Sequence, residues 1–274
     1  MKKLTKIVKL MSMEIKIPQV LRARGFRLYL ADKQRLVDLW QNGGAAVLGH
    51  TPPNLLRELK NTASRGLYAP FPHFTEGRFI KALSKLLPGR NFRLYAAPPQ
   101  ELSALYESGA VKLWRPYTDP VNPFTADESA PLLIPVIPGI HTWQNGLPIG
   151  LCVIAAQTDS DAAEKLLSKL PPGDALSPVL LAVAARGVHD LLAAPERGKL
   201  HFPKIIKALK ASECRWQRNG IYLTLKKTPS PTEGETLFNK FLKAGFLLPP
   251  DLTQPVILPG ELSDGEEAKL AAVL

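Results

Sequence analysis

The chain has 274 residues, 45% of them hydrophobic, enough to bury a sizeable core in one large domain or two modest ones. No apolar run reaches the roughly eighteen residues that span a bilayer, and Pro135 and Pro138 interrupt the most apolar stretch, "PLLIPVIPGIHTW". The net charge of +11 is concentrated in the first third: 17 basic against 5 acidic residues over 1–90, 5 against 8 over 91–172, and 13 against 11 over 173–274. Such an excess raises the local concentration of anionic partners. No aromatic-flanked Arg/Lys cluster or zinc-ligand spacing is evident beside it, so the sequence favours a solvated basic face. A binding module for an anionic partner through residues 1–90 is the alternative.

The opening "MKKLTKIVKLMSMEIK" lacks an apolar stretch followed by a small-residue cleavage site, which predicts no signal peptide. Of the two cysteines, Cys152 lies inside the apolar run "IGLCVIAA", where a thiol behaves as a small buried hydrophobe. A reducing, cytoplasmic location is expected, with no membrane partner.

Taken in chain order, "FRLYLADKQRLVDLW" predicts a hairpin with Phe26, Leu28, Leu30, Leu36 and Leu39 apolar. "HTPPNLLRELKNTASRG" predicts a helix capped by Thr51, begun at Pro52 and stopped at Gly66. A second helix is expected over "EGRFIKALSKLL", burying Phe79, Ile80, Leu83, Leu86 and Leu87 and ended by Pro88-Gly89. The strand "FRLYA" follows, then helical spacing through "QELSALYESGAVKLW" and an irregular, proline-broken stretch to Phe124. "LLIPVI" and "PIGLCVIAA" read as buried strands and "DSDAAEKLLSKL" as an amphipathic helix.

From Ser177-Pro178 the pattern is a long helix, a further helix near 200–211, and a hairpin "RWQRNGIYLTLKK" turning at Asn219-Gly220. Two helices with Ser-x-x-Glu boxes, Ser230/Glu233 and Ser263/Glu266, complete a tail that alternates strand and helix.

Three stretches resemble the class III (subgroup II) pyridoxal-phosphate-dependent aminotransferases, glutamate-1-semialdehyde aminomutase-like in flavour. "RGFRLYLADKQRLVDLWQNGGAAVLGHTPPNLLRELKNTASRGL" is similar to that family's N-terminal hairpin, Gly-rich turn and L-G-H-x-x-P helix, with matches at Asp32, Asp38, Gly43, Gly44, Gly49, His50 and Pro53. "SPVLLAVAARGVHDLL" resembles the helix linking the cofactor domain to the C-terminal domain, and the tail resembles that domain.

The resemblance is thin from 91 to 172, where the family keeps its chemistry. The phosphate-binding S-G-x-E-A is met by "FRLYAAPPQELSAL", with Glu101 in place of the Glu but Pro98 and Pro99 for the Ser and Gly. Proline has no N–H to give a phosphate. The acid that pairs with the pyridine nitrogen finds Asp127, beside Glu128, as its only nearby counterpart. The lysine motif K-x-x-x-N-G is met by "HTWQNGLPIG", which keeps Asn145, Gly146, Pro148 and Gly150 but has His141 at the lysine. An imidazole cannot form the imine that transamination requires. The phosphate-binding Thr is replaced by Gly173 or, with a gap, Asp174.

The resemblance implies an α/β chain of reduced aminotransferase (fold type I) architecture, with a truncated large-domain sheet and a C-terminal α/β small domain. Expected divisions are a basic extension 1–13, an N-terminal aminotransferase-like segment 14–90, a cofactor-domain remnant 91–172, and a linking helix with the C-terminal domain over 173–274. The expected function is a non-catalytic pseudo-transaminase in assembly or partner binding, a homo-dimer or a hetero-dimer with an aminotransferase-like chain, with no cofactor expected and pyridoxal phosphate the only one implied. The enzymatic alternative uses His141 as a general base in place of the Schiff-base lysine. Lys112 and Lys165 are the other amines in the reduced middle.

Overall fold

The strands follow from short alternating or continuous apolar runs, the helices from runs of 3.6-residue periodicity closed by glycine or proline. The computed structural model describes residues 18–144, 146–211 and 214–274. In chain order they form β1 (Val20–Arg24), β2 (Arg27–Leu30), β3 (Arg35–Asp38), α1 (Pro53–Ala63), α2 (Thr75–Leu86), β4 (Arg90–Tyr95), α3 (Gln100–Glu107), β5 (Val111–Trp114), β6 (Leu132–Pro135), β7 (Thr142–Gln144), β8 (Leu147–Ile149) and β9 (Cys152–Gln157). Then come α4 (Asp161–Leu167), α5 (Pro178–Leu192), α6 (Pro203–Leu209), β10 (Trp216–Asn219), β11 (Tyr222–Leu225), α7 (Pro231–Lys243), β12 (Phe246–Leu247), β13 (Val256–Ile257) and α8 (Asp264–Val273).

The chain divides into two units, Asn42–Lys199 and a discontinuous one joining the segment up to Gln41 with Leu200–Leu274. In the discontinuous unit β1, β2 and β3 form an antiparallel meander, and β12 adds parallel to β3 with Phe246 opposite Val37. Leu28, Leu30 and Leu36 bury into one core with Phe238, Phe241, Phe246 and Leu270. Arg27 ties the hairpin to the last helix, its Nε and Nη2 donating to Glu266 at 3.1 and 2.8 Å and its Nη1 to Glu261 at 2.7 Å. Both predicted capping boxes form.

In the other unit the four strands run in the order β4-β9-β6-β5, with β5 and β6 parallel and the remaining pairs antiparallel. Leu102 of α3 and Ala163 of α4 pack with Tyr95, Val111, Leu132, Ile154 and Cys152 of this sheet. Helix α5 packs on α1 and α2 with ten of its fifteen residues buried.

Several local readings shift. Helix α1 begins at Pro53, with Pro52 rather than Thr51 at the cap position; the second proline takes the first helical place, where a missing N–H costs nothing. In α2 Ala82 is buried and Ile80 only half-buried. The helix predicted through Trp114 stops at Glu107, because Gly109 at φ +75° turns the chain and Val111–Trp114 finds β6 as a strand partner. The run "PIGLCVIAA" is broken by Gly150 at φ +89°, so β8 and β9 belong to different sheets. Ser177 donates its hydroxyl to the Leu67 carbonyl instead of capping α5. The late hairpin turns at Gly220-Ile221, since Asn219 pairs with Tyr222 and Gly220 supplies the positive φ, +59°, that the first turn position needs.

Glycines separate packing from propensity. A Cβ at Gly187 of α5 would lie 2.2 Å from the Pro138 carbonyl oxygen, whereas one at Gly77 of α2 would meet nothing. Gly187→Ala is therefore expected to destabilise the protein by about 1–3 kcal/mol through overpacking against backbone, and Gly77→Ala to stabilise it by about 0.5–1 kcal/mol. Urea unfolding of the two variants checks the opposite signs.

Candidate functional site

The stretch around His141 is held by backbone and by glycines. Gly139 donates its N–H to the Ala45 carbonyl at 3.2 Å, and the Asn42 amide donates to the His141 carbonyl at 2.8 Å. Trp143 lies on Gly43, where a Cβ would come 2.4–2.6 Å from the indole ring. The Arg115 guanidinium sits 5.5 Å from that ring's centroid and donates from Nη1 to the Gly43 carbonyl at 2.7 Å. A Cβ at Gly139 would stand 2.9 Å from His141 Nδ1, so only glycine leaves room for the imidazole there.

His141 is 3% exposed, and its Nδ1 has no hydrogen-bond partner among the described residues. Burial, which penalises the charged form, lowers its pKa from 6.5 to about 4. The ring is thus neutral at neutral pH and a weak base.

The loop from β4 to α3 is occupied by the protein's own groups. Of residues 96–99 only Ala96 and Ala97 carry an N–H, because Pro98 and Pro99 follow. Ala96 donates its N–H to the Asp174 carboxylate at 2.8 Å, and Asp174 donates its own N–H to the Leu94 carbonyl at 2.8 Å. The Ala96 carbonyl accepts from Gly150 at 2.7 Å. Arg93 Nη1 donates to the carbonyls of Leu167, Leu170 and Pro171 at 3.1–3.3 Å, and the Tyr95 hydroxyl donates to Pro171 at 2.8 Å. Together these bonds hold the strap that carries Asp174 along β4. Glu101 is exposed in the first turn of α3, where its charge already complements the helix dipole.

The structure brings part of the expected set together. Gly150 contacts the phosphate-loop position at Ala96, and Gly146, at φ +77°, faces Tyr106 of α3, whose ring a Cβ there would approach to 3.9 Å. Asn145 lies outside the described residues. Asp127 belongs to a separate network: its Oδ1 accepts from the Ser129 hydroxyl at 2.6 Å and backbone at 3.0 Å, and its Oδ2 from Lys112 at 3.0 Å. The Ser129 hydroxyl first, then Lys112, holds this exposed carboxyl at about 2. Lys112 is therefore paired at the surface, and Lys165 is exposed on α4. Among the described residues no group of three or more His, Cys, Asp or Glu side chains could hold a metal ion, and no helix is long and apolar enough to cross a membrane.

The supporting roles of Arg93, Arg115 and Tyr106 were not read from the sequence. A cation two residues before the strand's end is the one local signal for Arg93; the other two depend on contacts between distant segments.

No family model matches the chain. In sequence it is similar to a protein of Treponema pallidum (strain Nichols), 29% identical over 273 residues and covering 88% of this chain and 89% of that one. A protein of Borreliella burgdorferi is 27% identical over 256 residues, covering 91% and 87%. Both are described only as uncharacterized proteins. In structure the chain is similar to an ornithine aminotransferase from Plasmodium yoelii, with a TM-score of 0.64 and 11% identity, covering 99% of this chain and 97% of that one. The fold is that of the aminotransferases. An acetylornithine aminotransferase from Elizabethkingia anophelis (TM-score 0.61, 12% identity, 99% and 97% covered) and a transaminase with PLP bound (0.64, 11%, 97% and 91%) match likewise.

The buried imidazole predicts a pH dependence. In the unfolded chain His141 takes up a proton below about 6.5, while in the folded chain it does so only near 4. Its contribution is complete above pH 6.5 and is lost as pH falls from there towards 4, by on the order of 3 kcal/mol. Chemical denaturation between pH 7.5 and 4.5 should show this fall, and His141→Asn should flatten it.

Proposed function

We propose that the chain is a shortened, non-catalytic relative of the class III aminotransferases, glutamate-1-semialdehyde aminomutase-like in its N-terminal segment, that serves in assembly or partner binding. In this reading residues 91–172 are what remains of the cofactor domain, and the four-stranded sheet is a cut-down large-domain sheet. The protein works in the cytoplasm as a homo-dimer or beside an aminotransferase-like chain.

The observation that carries this reading is the Asp174 carboxylate on the Ala96 N–H. A phosphate at the start of α3 would need backbone donors from this loop. One is already taken by an anion, two are prolines, and Asp174 and Glu101 would repel a second negative charge. Pyridoxal phosphate therefore does not fit the residues present.

The setting of His141 supports the same reading. It offers no amine, and as a neutral, buried base with a pKa of about 4 it is poorly matched to proton transfer near neutrality. Lys112 and Lys165 lie at the surface, away from any glycine-rich lysine motif.

The test is to add pyridoxal phosphate to the purified protein, follow uptake by absorbance, reduce with borohydride and analyse by mass spectrometry. Neither stoichiometric uptake nor a specific lysine adduct is expected. A stoichiometric adduct at one lysine, or uptake abolished by His141→Ala, would contradict the proposal.

A further inference from the structure

The segment between α1 and α2 exposes three aromatic rings within seven residues: Tyr68 at 67%, Phe71 at 56% and Phe74 at 61%. Large apolar side chains left this open are expected where something else covers them. Pro70 and Pro72 separate the rings and limit the backbone freedom of the segment. Its ends are tied down, since the Leu67 carbonyl accepts from Ser177 Oγ at 3.2 Å and His73 Nδ1 lies 3.1 Å from the Thr75 hydroxyl. The platform is therefore held in place before any partner arrives.

Cations continue from the rings. Phe74, Arg78, Lys81 and Lys85 stand four, three and four residues apart, which places them on one stripe of α2, distinct from the buried stripe of Phe79, Ala82, Leu83 and Leu86. The Arg78 guanidinium is 5.9 Å from the Phe74 ring centroid. All three cations are exposed, as are Lys60 and Arg65 ahead of the rings, and no acidic residue occurs from Leu59 to Thr75. The His189 pKa is lowered by burial first, and then by Lys85, Arg186 and Arg78, with Asp190 acting in the opposite direction. The basic excess of the first third thus includes an aromatic-flanked cluster.

We propose that this surface binds single-stranded nucleic acid, with bases stacking on Tyr68, Phe71 and Phe74 and the phosphate backbone running along Arg78, Lys81 and Lys85. Unpaired bases offer faces for exposed rings to stack on, and a row of cations attracts a charged backbone, whereas a duplex keeps its base faces inside the stack. The surface lies outside the cofactor-site residues, so its role stands or falls separately from pyridoxal phosphate uptake.

The experiment is fluorescence anisotropy of a labelled oligouridylate 20-mer with the full-length protein over a range of salt, beside a duplex of equal charge. Binding that prefers the single strand and weakens steeply with salt is expected. Tyr68→Ala and Phe71→Ala should each weaken it by about tenfold, and replacing Arg78, Lys81 and Lys85 with Ala should reduce the log–log salt slope by about 2. Replacing Lys207 of α6 and Lys210 at its C-cap should leave single-strand preference intact. Phe71→Trp supplies a reporter that does not depend on truncation, and its fluorescence should be quenched by the oligonucleotide. Equal affinity for duplex, an unquenched reporter, or binding indifferent to the aromatic variants would overturn the proposal. So would sedimentation showing that the rings seal a contact between two copies of the chain.

Discussion

At Gly187 helix α5 comes so close to Pro138 that position 187 has no room for a side chain, and the geometry of the candidate site is built outward from that approach. The helix is largely buried against α1 and α2, so it forms a fixed wall. Pro138 seated on that wall sets the path of Gly139 and His141, and the Ala45 and Asn42 contacts hold that path from the other side. Gly43 under Trp143 repeats the device, removing a side chain so that a ring can lie on backbone. Interiors packed at this density do not accommodate even one added carbon cheaply. The imidazole is consequently shut into the protein rather than presented to a ligand.

The loop at Ala96 is held by the chain's own groups. Where an aminotransferase-like site would present donors to an anion, this chain supplies the anion itself from Asp174, on a strap pinned by Arg93 and Tyr95. The internal carboxylate satisfies the Ala96 N–H and ties the loop to the strap. Two prolines in the loop fit that role, because a rigid connection without donors is useful only where no phosphate has to be cradled.

Much of the fold was legible because it rests on local rules. The two serine capping boxes, the glycine and proline stops of α1 and α2, and the buried β6 run follow from residue types at fixed spacings. The errors arise where a distant partner decides. "VKLW" carries helical spacing but pairs with β6, and "PIGLCVIAA" looks continuous until Gly150 divides it. The place of His141 opposite the family lysine was readable from the Asn145-Gly146 spacing; its burial was not, since that depends on Gly139 and on packing across the unit. Asp174 could be seen as a replacement for threonine, yet its bond to Ala96 needs the register of the strap along β4. The aromatic stripe was present in the sequence as Tyr68, Phe71, Phe74 and Arg78, but only their exposure distinguishes a platform from core.

Whether Asp174 stands where an anion would have to bind can be read from the backbone amide of Ala96, followed by NMR during titration with pyridoxal phosphate. This amide is expected not to shift at millimolar ligand in the native protein and to move markedly in Asp174→Ala, where its acceptor is gone. A saturable shift of the Ala96 amide in the native protein, with Asp174 displaced from it, would contradict the claim.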